Sequence, residues 1–341
     1  MAGALSEKSF LTKFVDAGFT RIEVLETSQN KRTRNPEAYV VTIGAQKASI
    51  SLRAPLKKTP KPVLNRENAS ETLKEFWVFP VAPETCNLAC THCLYAASPK
   101  TRNPYRLSAS ELSGVLAQIE ALGAKPHFLF TGGEPTLHKE LYDFLETIDH
   151  KGYSFQLMTN GTRIHRETAE RLSKMTNLTK VQISLESADP KINDSIYGAG
   201  LQQRVLQAVD TLKEEGVAVT LAVTPMQINE GGLPAIEELA AEKGADVKYI
   251  SLYDLGSATE NGLKPSREVT NGDSQPDIEL MCDKGVTYSE GAFYPCPVLV
   301  KEPGTKLGET LEQALSPEAR RRVARLHQVH AACQVCLKGS T

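Results

Sequence analysis

The chain predicts an α/β fold with a parallel sheet. Across residues 76–252 short apolar runs alternate with longer amphipathic ones, six strand-like and five helix-like. Strands joined by intervening helices pair in parallel through right-handed crossovers. Two groups of cysteines bracket this stretch, one at Cys86, Cys90 and Cys93 and one from Cys282 onward. At 341 residues the chain has room for one large domain and a smaller appendage.

The elements follow in order. Residues 1–75 precede the alternation and read as a small α+β unit: a helix over 9–17, then strands over 19–25, 38–43 and 48–52. Residues 55–62, rich in proline and lysine, read as its linker. The alternation then gives strand 76–81, helix 108–122, strand 126–131, helix 139–150, strand 154–159, helix 166–174 and strand 180–185. Helix 201–215, strand 218–224, helix 233–242 and strand 247–252 complete it. Helix 108–122 carries its own start signal: Ser108 followed three residues later by Glu111 matches a capping box. Active groups of such sheets collect at the C-terminal strand ends. The sequence places polar residues there: Asn160 after strand three, Ser184 and Glu186 after strand four, Asn229 after strand five and Tyr253 after strand six. Turn chemistry alone also favours Asn and Ser at strand exits.

Formal charge is −2 with both signs interspersed, which gives no electrostatic case for a nucleic-acid or membrane partner. No apolar run reaches the roughly 18–20 residues that span a bilayer, and no secretion signal opens the chain, so a cytoplasmic protein is expected. Seven cysteines, an odd number, fit metal ligation in a reducing compartment better than a disulfide framework.

Cys86, Cys90 and Cys93, spaced by three and then two residues, offer three thiolates on the loop leaving the first strand. Three thiolates hold three corners of a [4Fe–4S] cube and leave one iron open, whereas zinc prefers a closed tetrahedral shell, which His92 would have to complete. After the second strand comes Gly132-Gly133-Glu134-Pro135. In this order the two motifs resemble the radical S-adenosylmethionine (SAM) superfamily. The resemblance implies an open, partial (β/α)6 barrel over 76–255. It implies a cluster on Cys86, Cys90 and Cys93 whose free iron chelates the amino and carboxylate groups of SAM. It also implies that Gly132, Gly133, Glu134 and Pro135 meet the methionyl amino group through their backbone and that His92 lies near the adenine. Ser184 and Glu186, with Asn160, are implied as contacts of the SAM ribose and carboxylate. The family's arginine beyond strand four has no clear counterpart; Arg204 is the nearest.

Past strand six, residues 256–275 are rich in Gly, Ser and Asn, and the remaining cysteines follow: Cys282, Cys296 after a probable hairpin, then Cys333-Gln-Val-Cys336 after a basic helix over 317–332. Four thiolates suit either a second [4Fe–4S] cluster or a zinc site with four cysteine ligands. His327 and His330 are expected to flank the site. The order resembles the "twitch" module, a shorter relative of the SPASM extension, which makes 256–341 an auxiliary iron–sulfur extension. The two sets use all seven cysteines and leave none to quench a substrate radical. The resemblance then implies reductive SAM cleavage to a 5′-deoxyadenosyl radical and an oxidative modification, dehydrogenation or cross-linking, of a peptide or small natural-product-type substrate. The second cluster is the expected electron acceptor, and a one-electron reductant such as flavodoxin or ferredoxin the expected partner. A molybdenum-cofactor-type cyclase and a non-catalytic iron–sulfur or zinc protein are the rival readings.

Overall fold

The structure is a computed structural model that describes residues 19–29, 39–47, 64–267 and 280–337. Strands β1 (Phe19–Gln29) and β2 (Tyr39–Lys47) pair antiparallel within a compact unit of their own, where two of the three N-terminal strands were expected. The expected helix over 9–17, strand over 48–52 and linker over 55–62 lie outside the described residues.

The second unit carries all six expected strands: β3 (Glu75–Val78), β4 (His127–Phe130), β5 (Phe155–Thr159), β6 (Leu178–Ser184), β7 (Val219–Val223) and β8 (Asp246–Tyr249). They are parallel neighbours in chain order. Side chains alternate between faces, as the pleat requires. Phe76, Phe128, Phe130, Phe155, Leu157, Val181, Ile183 and Leu221 are fully buried in the main apolar core, which includes the helices. Each such side chain contributes about 1.5–3 kcal/mol over leaving it in water. The opposite face mixes polar and apolar side chains: Glu75, Trp77, Met158, Gln182, Ser184 and Lys248 line a cavity. Adjacent strands lie about 4.8 Å apart, so β3 and β8 would stand roughly 24 Å apart in a flat sheet. That Trp77 of β3 and Lys248 of β8 line the same cavity shows the sheet curled into a partial barrel.

Helix Ala109–Ala121 starts where expected. Ser108 Oγ accepts from Glu111 N–H, and the Glu111 carboxylate accepts from Ser108 N–H at 2.9 Å. The first strand is shorter than expected, ending at Val78, because Pro80 has no N–H to extend the ladder. Helix Pro190–Tyr197 was not expected; Asp189 caps it by accepting from Lys191 N–H at 2.8 Å, and Pro190 opens it. The basic C-terminal helix is two helices, Pro317–Val329 and Ala331–Leu337, broken at His330, whose extended backbone interrupts the helical bonding.

Beyond the six strands, β9 (Gly285–Ser289) adds to β3 in parallel, and β10 (Ala292–Tyr294) pairs antiparallel with β9. The C-terminal cysteine segment thus grows from the edge of the barrel sheet. Among the described residues no helix is long and apolar enough to cross a membrane. The β3 to β9 junction depends on Gly285, where a Cβ would stand 1.8 Å from the carbonyl oxygen of Glu75. Gly285→Ala is expected to destabilise the protein by about 1–3 kcal/mol, read as a lowered urea midpoint.

Candidate active site

The loop between β3 and helix Ala109–Ala121 is clasped at its base by the Val81 to Arg106 bridge and by Leu107 N–H donating to Pro80 O at 2.8 Å. Cys86, Cys90 and Cys93 sit on it. Ser257 N–H donates to Cys93 O at 2.9 Å, and Gly256, at φ +53°, comes so close that a Cβ would stand 2.5 Å from Leu94 O. On the other side the Gly132-Gly133 turn closes in. A Cβ on Gly133 would stand 1.9 Å from Thr85 O, and Glu134 N–H donates to that same oxygen at 2.9 Å. Gly132 takes φ +126°, a backbone that favours glycine.

Glu134 is 1% exposed. Its Oε1 accepts from Thr136 N–H (3.0 Å), Thr136 Oγ1 (2.6 Å) and Thr159 Oγ1 (2.7 Å), and its Oε2 from Asn160 N–H (2.8 Å). Burial pushes its carboxyl above the ordinary value, and these donors oppose the shift. The side chain fixes the exits of β4 and β5. Asn160 in turn reaches the cysteine loop: Nδ2 donates to Asn87 Oδ1 at 3.0 Å and points at Cys86 Sγ from 3.7 Å.

The exit of β6 is arranged around a second buried carboxylate. Glu186 Oε1 accepts from Tyr197 Oη at 2.8 Å and faces His92 Nε2 at 3.2 Å; Oε2 accepts from Thr224 N–H at 2.6 Å. The Tyr197 ring meets His92 edge-on, with centroids 5.6 Å apart. Glu186 lines the cavity, but its oxygens are engaged within the protein. The side chain holds His92 and the strand exits. Tyr197 was missed by sequence reading; the Asp189-Pro190 helix start was the only signal for it. Ser184 lines the cavity and bonds Tyr197. Asn229 is a clamp, its Nδ2 donating to Glu186 O and Thr224 O. Arg204 is exposed on helix Leu201–Glu214 and does not line the cavity, so it does not stand in for the family's arginine.

The three cysteines, His92, the Gly132–Glu134 turn, Asn160, Ser184 and Glu186 share one cavity of about 400 Å³. The residues fit an iron–sulfur cluster with SAM. Burial pushes the Cys86 thiol up to about 12 and raises that of Cys90, so thiolates here need a cationic partner such as iron. Leu88 N–H donates to Cys86 Sγ and Ala97 N–H to Cys93 Sγ, both at 3.4 Å. His92 Nδ1 is buried with no partner, an unmet bond for a ligand to complete.

The C-terminal set also comes together. Cys282 on helix Met281–Lys284, Cys296 after β10, and Cys333 and Cys336 on helix Ala331–Leu337 line one apolar cavity. His327 flanks it, Nε2 3.0 Å from Cys282 Sγ; the His330 ring accepts from Ala332 N–H at 3.2 Å. Arg320 is buried beside it, Nη1 donating to Cys282 O at 3.0 Å. Among the described residues no three His, Cys, Asp or Glu side chains close on one point as ligands of a single metal ion do. Cys336 lines both cavities, and Tyr253, on the wall of the larger one, has its Oη 3.2 Å from Cys336 Sγ.

Residues 82–239 match the model of the radical SAM superfamily. Over that stretch the chain is similar to the radical SAM superfamily. The chain is 31% identical over 215 residues to Fe-coproporphyrin III synthase of Methanosarcina barkeri, covering 63% of this chain and 52% of that protein. It is 33% identical over 178 residues to mycofactocin maturase MftC of Mycobacterium tuberculosis, covering 51% and 44%. The chain spans about half the length of the curated relatives it matches. Among solved structures, SuiB of Streptococcus suis bound to precursor peptide SuiA superposes with a TM-score of 0.60 at 15% identity, over 80% of this chain and 72% of that one. Native anSMEcpe with bound AdoMet gives 0.54 at 18% identity, over 76% and 82%. The two superpositions show that the chain shares the fold of those proteins.

Gly133→Ala is expected to retain the fold by circular dichroism yet lose about 100-fold in 5′-deoxyadenosine formation, because the turn must retreat from Thr85 by more than an ångström. Tyr197→Phe is expected to lower the unfolding free energy by about 1.5–3 kcal/mol, the range for a hydrogen bond to a charged group, measured in urea.

Proposed function

We propose that this radical SAM enzyme oxidatively modifies a peptide or small natural-product-type substrate by dehydrogenation or cross-linking, with two [4Fe–4S] clusters, the second as electron acceptor. The observation that carries the reading is the single cavity that runs from the first cysteine set to Cys336 of the second. A substrate held there lies between the two sets. When bound, the first cluster and SAM supply a 5′-deoxyadenosyl radical for hydrogen abstraction, and the second cluster supplies an electron sink.

The chain's own residues hold and aim these groups. Cys86, Cys90 and Cys93 hold the first cluster, and the Gly132–Pro135 backbone, Asn160 and Ser184 bind SAM at the strand exits. His92, steadied by Glu186 and Tyr197, flanks the adenine. Cys282, Cys296, Cys333 and Cys336 hold the second cluster. Apolar walls from Trp77, Leu129, Met158 and Val298 keep water from the reacting centre. The relative named PqqA peptide cyclase, 27% identical over 187 residues, supports a peptide as substrate. A one-electron reductant such as flavodoxin or ferredoxin is the partner the chemistry calls for.

Anaerobic reconstitution followed by iron counting, then dithionite and SAM, tests the reading. About eight irons per chain are expected, since each cube holds four. The Cys86/Cys90/Cys93→Ala variant is expected to keep about four and form no 5′-deoxyadenosine. About four irons in the wild type would remove the electron-acceptor role; a fully loaded wild type inert toward SAM, with and without candidate peptides, would overturn the enzyme assignment.

A further inference from the structure

The cavity extends past the strand exits to the floor of the barrel, where its lining changes character. There it meets Lys248 of β8, with Lys284 and Glu75 at the starts of β9 and β3. Lys284 Nζ and Glu75 Oε1 lie 3.7 Å apart. The Lys248 ammonium makes no hydrogen bond or ion pair among the described residues. With Lys180 on the same inward face of the sheet, lysines outnumber this carboxylate among the described residues. Burial pushes the Lys248 ammonium below its ordinary value, with Lys180 and Lys284 adding to the shift and Glu75 opposing it. A half-buried ammonium with no acceptor is costly, and an anion in the cavity would offset the cost.

A second observation stands next to it. The inward positions of β6 run Lys180, Gln182, Ser184 toward the exit. Gln182 lines the cavity, is only 8% exposed, and its Oε1 is buried without a partner. A buried acceptor left unpaired loses about 1–3 kcal/mol, so the position is built for a ligand donor. We propose that the barrel floor is a carboxylate-binding subsite in which Lys248 pairs with the anion and Gln182 accepts from a neighbouring N–H or O–H, so that the substrate enters carboxylate first. The apolar side chains around it, Trp77, Leu129 and Met158, favour a singly charged carboxylate over phosphate, which carries more charge near neutral pH and costs more to desolvate. An acyl amino acid or a peptide C-terminus supplies both features, a carboxylate and an amide N–H one carbon away.

This subsite rests on the reading of the cavity as the substrate site, and the experiment separates the two. Trp77, the chain's single tryptophan, lines the same cavity and reports its occupancy. The reconstituted protein is titrated anaerobically with N-acetylglycine, its neutral amide N-acetylglycinamide, and inorganic phosphate, followed by Trp77 emission and calorimetry. N-acetylglycine is expected to bind saturably, with the amide and phosphate at least about tenfold weaker, the discrimination of a charge-assisted hydrogen bond. Lys248→Met is expected to lose at least about tenfold for N-acetylglycine, while Lys248→Arg, which restores the cation, retains binding. Gln182→Leu is expected to weaken N-acetylglycine while leaving binding of acetate, which lacks the amide, unchanged. Equal binding of acid and amide, tighter binding of phosphate, no binding of N-acetylglycine, or undiminished binding by a folded Lys248→Met would each overturn the subsite. Failure of the loaded wild type to cleave SAM strikes the enzyme reading instead, and leaves the binding result to stand or fall by itself.

Discussion

The buried carboxylate of Glu134 is the interaction on which the site depends. It accepts four hydrogen bonds with no Lys or Arg beside it, from Thr136, Thr159 and Asn160. Burial raises its pKa, and each of these bonds favours the ionised form and opposes that shift, so removing any donor would raise it further. Through it the exits of β4 and β5 keep a fixed relation to the cysteine loop, since Glu134 N–H and Gly133 also seat against Thr85. The spacing of Cys86, Cys90 and Cys93 means little without that floor, because three thiols on an unsupported loop have no common direction.

Glu186 repeats the device one strand on. It joins the exit of β7 through Thr224, helix Pro190–Tyr197 through Tyr197, and the cysteine loop through His92. Thr91 N–H also donates to Ile196 O at 3.0 Å, so the same helix supports the loop by backbone and by side chain. The two carboxylates together make the strand exits rigid and leave the centre of the cavity for ligands. Positioning of this kind is what catalysis by a bound cofactor asks of the protein.

The wall between the two cysteine sets is thin. Tyr253 shows its ring to the larger cavity and its hydroxyl to Cys336, within an apolar cluster that also contains Cys296 and Cys333. The C-terminal segment takes this position by continuing the sheet: β9 bonds to β3, so the hairpin and the helices after it are referred to the same framework as the first cysteine loop. Arg320, buried beside Cys282, supplies positive charge where the four cysteines gather.

The alternation of the six strands and their helices was legible because period and length are local properties, and the Ser108 capping box was legible for the same reason. So were both cysteine sets and the Gly-Gly-Glu-Pro turn, because their chemistry lies in identity and spacing. The sequence by itself thus determined the fold class, the order of the six barrel strands and the grouping of the cysteines. Tertiary structure alone decided that β9 joins β3, that Tyr197 and His92 meet on Glu186, and that the basic helix breaks at His330. It alone decided that Lys248, which reads in sequence as one more surface lysine, faces the barrel floor. Such facts depend on the curl of the sheet and on contacts between residues far apart in the chain, and no local pattern encodes a distance that only closes when the whole sheet has bent.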